Sequence, residues 1–266
     1  MKAPFPLPQA TPIQPRQGDI LAYARQIGRV NVEQLAKHFD VTPQTIRKDL
    51  NELCDRALLQ RVHGGAVAIS GVTNFGYEAR RNLAAEGKQL IGQCAADLVP
   101  NDCSILINIG TTTEQVAMAL RTKVGVMVIT NNLNVINILS GYPEIEVIVA
   151  GGALRHSDGG IVGEAAVDFI KQFKVDYAII GTSAIDEDGS LLDYDYREVK
   201  VTQAIIANAR RAILVADSMK FERSAPVRIA HLSQIDYFVT DTRLPDHLGA
   251  ICRESEVKVV LADGSS

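Results

Sequence analysis

Seven continuous apolar runs, spread through residues 103–261 and separated by helical patterns, constrain this chain more than any other feature. They are Cys103–Ile107, Val126–Ile129, Ile145–Ala150, Tyr177–Ile180, Ala212–Ala216, Tyr237–Thr240 and Val257–Leu261. A strand with one wet face alternates apolar and polar residues. A strand that is apolar throughout is buried on both faces, as in a parallel sheet covered by helices. The segments between the runs supply those helices. A helical stripe over 88–98 stops at Pro100, and a helix follows Gly110-Thr111-Thr112-Thr113 to about Leu120. Others are expected at Leu133–Leu139, near Glu164–Phe173 and at about Arg197–Ala209. The pattern predicts an α/β domain over 87–262 with a doubly wound, mostly parallel sheet.

Ligands of such sheets bind at the carboxyl ends of the strands, where this chain places its small polar loops. Ile109-Gly110-Thr111-Thr112-Thr113 can turn backbone N–H groups, backed by a helix N-terminus, onto a phosphate. Thr130-Asn131-Asn132 offers a second polar loop at the next helix start. Glycine and threonine are also ordinary turn and capping residues. What favours a site is that several such loops share one edge together with Arg155, Asp158, Asp186, Glu198, Lys200, Asp217 and Lys220.

Ahead of this domain, residues 16–70 carry a different pattern. Ile20, Leu21, Ala24 and Ile27 form a helical stripe that Gly28 ends. Asn31 can cap a short helix, Val32–His38, with Val32, Leu35 and Ala36 inward. After the turn Phe39-Asp40-Val41, Thr42 caps a longer helix with Pro43 at its first position. Ile46, Leu50 and Leu53 line one face of that helix; Gln44, Arg47, Lys48 and Asn51 fall opposite, with Thr45 flanking them. Arg and Lys suit guanine edges, Gln suits adenine, and Thr takes either. Leu58–Val62 then alternates like a strand, His63-Gly64-Gly65 is a turn, and Ala66–Ile69 returns. Three helices and a hairpin with Arg61 and His63 near its tip make a winged helix-turn-helix.

Charge divides along the same line. Residues 16–70 hold eight basic and six acidic side chains, whereas residues 71–266 hold 18 and 25, in a chain of net charge −4. A mildly basic head on an acidic body suits a nucleic-acid reader joined to something else. Residues 1–15, with five prolines, read as a disordered or extended arm, and 71–86 as a polar, irregular linker. No run of 18 apolar residues exists, and Cys54, Cys94, Cys103 and Cys252 have neither metal-ligand spacing nor the density of a disulfide framework. The expected setting is a reduced cytoplasm, with no cofactor or metal.

Thr42-Pro43-Gln44-Thr45-Ile46-Arg47-Lys48-Asp49-Leu50 followed by Arg61-Val62-His63-Gly64-Gly65-Ala66 resembles the N-terminal signature of the DeoR family of bacterial sugar-metabolism repressors. The resemblance continues through Gly110-Thr111-Thr112, Thr130-Asn131-Asn132-Leu133, Ala150-Gly151-Gly152, Asp158-Gly159-Gly160-Ile161-Val162-Gly163 and Asp217-Ser218-Met219-Lys220-Phe221. It implies a DNA-binding head and an effector-sensing domain whose fold is similar to ribose-5-phosphate isomerase. The block Gly163-Glu164-Ala165 to Phe173, with Ile185-Asp186-Glu187-Asp188-Gly189-Ser190-Leu191-Leu192 and Asp195-Tyr196, is similar to the members of that family that govern glycerol 3-phosphate metabolism. That implies a repressor induced by sn-glycerol 3-phosphate, bound to operator duplex DNA as a homo-oligomer, with a tetramer expected.

The expected DNA contacts are Thr42, Gln44, Thr45, Arg47, Lys48, Asn51, Arg61, His63 and Gly64. The expected effector contacts are Gly110, Thr111 and Thr112 on a phosphate, with Asn131 and Asn132 beside them. Lys220, Lys200 or Arg155 would add positive charge, and Asp186 and Glu198 would accept from hydroxyls. The rival reading is an isomerase fused to a DNA-binding head, with Glu198 as acid and base. Against it, Asp193-Tyr194-Asp195-Tyr196-Arg197 occupies the place where the isomerases carry a lysine and a glycine run, and glycerol 3-phosphate has no carbonyl to isomerise. A DNA-architectural protein without an effector would leave a domain of nearly 200 residues unexplained.

Overall fold

Alternate residues of each apolar run go to opposite faces of one sheet, which is why the runs are mostly apolar instead of alternating. Ile105 and Ile107 join one core and Leu106 the other; Ile179 likewise opposes Ala178 and Ile180. The structure, a computed structural model, describes residues 14–27, 29–55, 58–62, 64–68 and 77–262. It divides into two compact units, Met1–Thr73 and Asn74–Ser266.

In the first unit, α1 (Pro15–Ile27), β1 (Arg29–Asn31), α2 (Val32–His38), α3 (Pro43–Asp55), β2 (Leu59–Val62) and β3 (Gly65–Ala68) follow in order. The strands form an antiparallel sheet in the order β1-β3-β2. The Asn31 side chain accepts from the Glu33 amide at 2.8 Å and caps α2. Asp40, at φ 51°, makes the left-handed turn between α2 and α3, a conformation that a short polar side chain tolerates. Ile20, Ala24, Leu35, Ile46, Leu50 and Leu53 close the core.

Two details of this unit depart from the sequence reading. β1 was not expected, because three residues are too few to show a period. Gly65 belongs to β3 rather than to the turn, and its backbone lies so close to β1 that an added Cβ would stand 1.9 Å from the Val30 carbonyl oxygen. Gly65→Ala is therefore expected to destabilise this unit by roughly 1 kcal/mol or more through overpacking. A lowered denaturation midpoint checks it. Residues 1–13, where most of the proline-rich arm lies, and His63 are outside the described residues; Pro15, assigned to that arm, instead opens α1.

The second unit begins with α4 (Tyr77–Asn82) and α5 (Ala85–Asp97), so residues 77–86 are largely helical where an irregular linker was expected. The chain then runs β4 (Ser104–Ile107), α6 (Thr111–Leu120), β5 (Val126–Thr130), α7 (Leu133–Leu139) and β6 (Ile145–Val149). A hairpin, β7 (Ala153–Arg155) and β8 (Gly160–Val162), leads to α8 (Glu164–Ile170) and β9 (Val175–Ile180). Next come β10 (Ala184–Ile185), β11 (Ser190–Asp193), α9 (Tyr196–Ala207), β12 (Ala209–Val215) and β13 (Val227–His231). β14 (Tyr237–Thr240), α10 (Asp246–Glu254) and β15 (Lys258–Leu261) complete it.

Seven strands form a wholly parallel sheet in the order β15-β14-β12-β9-β4-β5-β6. These are the seven apolar runs. Residues of α5, α6 and α7 pack on one face, and residues of α8, α9 and α10 on the other. The hairpin β7–β8, the small sheet β10-β11-β13 and α10 had no counterpart in the sequence reading. Strand order reverses between β4 and β9, so the crossovers leave a crevice at their carboxyl ends. Buried Asn108 spans it: its side chain accepts from the Gly181 amide at 3.0 Å and donates to the Gly181 carbonyl and to Thr202 Oγ1, each at 3.3 Å.

Candidate functional site

The first candidate surface is the outer face of α3. Thr42 Oγ1 accepts from the Thr45 amide at 3.2 Å and starts the helix. Gln44, Arg47, Lys48 and Asn51 are exposed, Thr45 is half-buried, and Arg47 donates weakly to Gln44 Oε1 at 3.5 Å. Arg61 and Gly64 are exposed on the hairpin. Asp49, between these exposed groups in sequence, turns inward. It is buried against Arg16, with Nε to Oδ2 at 2.7 Å, and it accepts from Gln17 at 3.4 Å. The one carboxylate in the middle of the helix is thereby neutralised by α1, leaving cationic and amide groups outward.

The second candidate site lies in the crevice between β4 and β9. The amides of the first turn of α6 open onto it, because Gly110 gives this helix no side-chain cap. Thr113 Oγ1 donates back to the carbonyls of Gly110 (2.8 Å) and Asn108 (3.0 Å) and fixes the loop. Thr111 and Thr112 line the crevice with Gly181, Thr182 and Ser183 from the loop after β9. Lys220 enters from the short 3₁₀ turn Ser218–Glu222, which Asp217 caps by accepting from the Met219 amide at 3.1 Å. Its ammonium is buried and makes no hydrogen bond within the described residues. Burial pulls its pKa down to about 8 against the attraction of Asp217.

The other wall is acidic. Asp195 caps α9 by accepting from the Arg197 amide at 2.9 Å, and the helix then carries Glu198 into the crevice. Burial, reinforced by the Asp193 carboxylate, pushes Glu198 up to about 8 although Arg155 stands 2.5 Å from its Oε2. Oε1 takes no hydrogen bond from the described residues. Asp193 is buried and also raised by burial; it accepts from Ser183 Oγ at 3.0 Å and from the Tyr194 amide at 2.6 Å. Arg80 of α4 completes the lining. It pairs with Asp158 at 3.2 Å, while its buried Nε has no hydrogen-bond partner among the described residues.

Several sequence-predicted contacts lie elsewhere. Arg155 is not a free cation: it grips Asp158 at 2.7 and 2.8 Å, Asp195 at 3.1 Å and Glu198 at 2.5 Å. Its guanidinium is spent on the acidic wall, and those carboxylates outweigh burial and raise its pKa. Asn131 donates to the Ile161 carbonyl at 2.9 Å, and Asn132 caps α7 and donates to Glu114 at 3.2 Å, so this loop builds the crevice from behind rather than lining it. Asp186 is exposed in the turn between β10 and β11. Lys200 is exposed on α9, two residues and hence about 200° from Glu198. Neither belongs to the crevice. Conversely Arg80, Ser183 and Asp193 were missed; Arg80 stood in the presumed linker, where no periodicity marks a half-buried cation.

The arrangement can bind a small molecule with an anionic end and a hydroxylated end. Amides, threonine hydroxyls, Lys220 and Arg80 suit the anion, and Glu198, Asp193 and Ser183 suit hydroxyls. Among the described residues no cluster of His, Cys, Asp and Glu could hold a metal, and no helix is long and apolar enough to cross a membrane.

Comparison with known proteins identifies both domains. Residues 16–72 match the DeoR-like helix-turn-helix domain, and residues 83–242 match the DeoR C-terminal sensor domain. The chain is 43% identical to the glycerol-3-phosphate regulon repressor of Escherichia coli (strain K12), over 92% of this chain and 98% of that one. It is 45% identical to the repressor of the same description from Haemophilus influenzae, over 94% and 97%. Among solved structures, ribose 5-phosphate isomerase A from Methanocaldococcus jannaschii is a distant likeness, with TM-score 0.40 and 16% identity over 52% of this chain and 55% of that one. A winged reader and a sensor domain in this order, on residues matched along most of the chain, place it in the DeoR family of DNA-binding transcriptional repressors.

Proposed function

We propose that this chain represses transcription from a palindromic operator and is released when sn-glycerol 3-phosphate occupies the crevice at the carboxyl ends of β4 and β9. The observation that carries the reading is the polarity of that crevice. An uncapped ten-residue helix start, Lys220 and Arg80 face Glu198 and Asp193 across a small space. The ligand's phosphate meets the first group and its two hydroxyls the second. The test is operator release measured by fluorescence anisotropy with glycerol 3-phosphate, glycerol and ribose 5-phosphate. Release by the first alone is expected; equal release by glycerol, which lacks the phosphate, would overturn the reading.

The same site gives a pH dependence. Burial lowers the pKa of Lys220 to about 8, and a phosphate beside it favours the charged form, so the pKa rises in the complex. Glu198, also at about 8, is favoured in its protonated form by the anion. Both groups therefore take up protons on binding above pH 8, and each weakens affinity by up to about tenfold per pH unit there. Calorimetry in two buffers of different ionisation enthalpy should show proton uptake at pH 8.5; proton release would contradict it.

One recognition helix reads few base pairs, so the working form is a homo-oligomer, a tetramer, acting in the cytoplasm. Paired heads require half-sites one helical turn apart or a multiple of it. Light scattering is expected to show dimers or larger, and inserting five base pairs between half-sites to abolish tight binding.

A further inference from the structure

Helix α4 is the first described element of the sensor unit, separated from the last residue of β3 by eight residues. Six residues make too short a helix to persist alone, so its place is set by what holds it. Contacts at its start, middle and end do so. At its start, the Tyr77 hydroxyl donates to Glu114 Oε2 at 2.8 Å. In its middle, Arg80 pairs with Asp158. At its end, the buried ammonium of Lys88 donates to the carbonyls of Arg80 and, at 2.7 Å, of Leu83. Each contact ends on a group that adjoins or holds a residue lining the crevice. Glu114 lies in the first turn of α6, whose amides open there. Asp158 is shared with Arg155, which grips Glu198, and Lys88 stands 3.9 Å from Asp217, the cap of the turn that carries Lys220.

Glu114 is the most informative of these groups. It is buried, forms no ion pair within the described residues, and accepts from Asn132 at 3.2 Å and Asn134 at 3.0 Å as well as from Tyr77. Its negative charge sits at a helix N-terminus, where it is stabilised while the first-turn amides face no other anion. A phosphate arriving at those amides brings like charge to the same turn. We infer that Tyr77 and Glu114 are positioning residues that transmit occupancy of the α6 helix start to α4, and through the connecting chain to the DNA-binding head. The inference rests on the proposed effector site and names how that site is read out. The phosphate repels Glu114 and competes with Asp158 for Arg80, so both side-chain contacts that hold α4 are weakened by one ligand. A hundredfold loss of operator affinity requires a hundredfold preference of the ligand for the loosened form.

The test uses the full chain, with Tyr77→Phe, which removes one hydroxyl, and Glu114→Gln. Glycerol 3-phosphate binding is followed by calorimetry and operator affinity by anisotropy, with and without ligand. Tyr77→Phe is expected to bind glycerol 3-phosphate within threefold of wild type, and Glu114→Gln, which no longer repels the phosphate, at least as tightly as wild type. The ratio of operator affinities without and with ligand should fall at least tenfold. In the ligand-free chain, amide exchange in residues 77–82 should rise at least tenfold in Tyr77→Phe while α6 stays protected. Wild-type ratios and wild-type exchange in both variants would overturn the inference. A wild-type chain that ignores glycerol 3-phosphate, combined with faster exchange and altered operator affinity in Tyr77→Phe, would instead overturn the choice of effector and support the positioning role.

Discussion

Lys220→Ala is expected to leave operator binding unchanged and to raise the glycerol 3-phosphate concentration needed for release by roughly 10- to 150-fold. The magnitude follows from the worth of a hydrogen bond to a charged group, about 1.5–3 kcal/mol. The direction follows from the site. Lys220 is buried and attracted by Asp217, but its ammonium has no hydrogen-bond partner among the described residues, so a ligand's phosphate can take its hydrogen bonds. Removing the side chain also removes a desolvated ammonium, so the empty sensor should be no less stable, and a thermal midpoint at or above wild type is expected. The variant is a super-repressor: bound to DNA and nearly deaf to inducer. Thr111→Val, which keeps shape and loses one hydroxyl in the crevice, should move the same way by a smaller factor. Wild-type release by Lys220→Ala, measured as the half-point of an anisotropy titration, would remove the proposed phosphate site.

The sheet was legible because its signal repeats. The central strands are apolar on both faces and the two cores take alternate residues from them, so these runs carry the same information, which the edge strands β6 and β15 repeat in part. What escaped was short or non-periodic. β1, β7, β8 and β10 have two or three residues each, below the length at which a period shows. Arg80 is half-buried by folding of a segment that reads as polar and irregular; nothing local distinguishes it from the exposed Arg81. Other misplacements had a physical signal that composition obscured. Lys200 could not share a face with Glu198, since two helical positions are about 200° apart. Arg155 was counted as a cation for the ligand, yet Asp158 lies at i+3 and the α9 carboxylates at 3.1 and 2.5 Å; an arginine offered three carboxylates is a clamp before it is a binder. In the head, Asp49 shows the converse. It falls beside Leu50 on the inward side of α3, so its burial was available from the helical period, whereas its partner Arg16, 33 residues away, was not.

Arg47→Ala and Arg61→Ala are expected to weaken DNA binding in different ways, and the difference tests how the head reads its operator. Arg47 stands on the exposed face of α3 within its first two turns, beside Gln44 and Lys48, where a helix lying in the major groove presents side chains to base edges. A bidentate contact to guanine is worth roughly 1–3 kcal/mol of discrimination, so Arg47→Ala should cost about 5- to 150-fold on the operator. On unrelated duplex it should cost much less. Arg61 is exposed on β2 at the hairpin, where the contact we propose for it is to phosphate. Its replacement should weaken all sequences alike and reduce the slope of log affinity against log salt by about 1. The core of the unit touches neither side chain, so both variants keep the wild-type fold and melting midpoint. Measured across 50–300 mM salt on operator and scrambled duplex, the two losses separate into one that depends on sequence and one that depends on salt. Equal losses on both duplexes in Arg47→Ala would show that α3 lies along the backbone rather than in the groove.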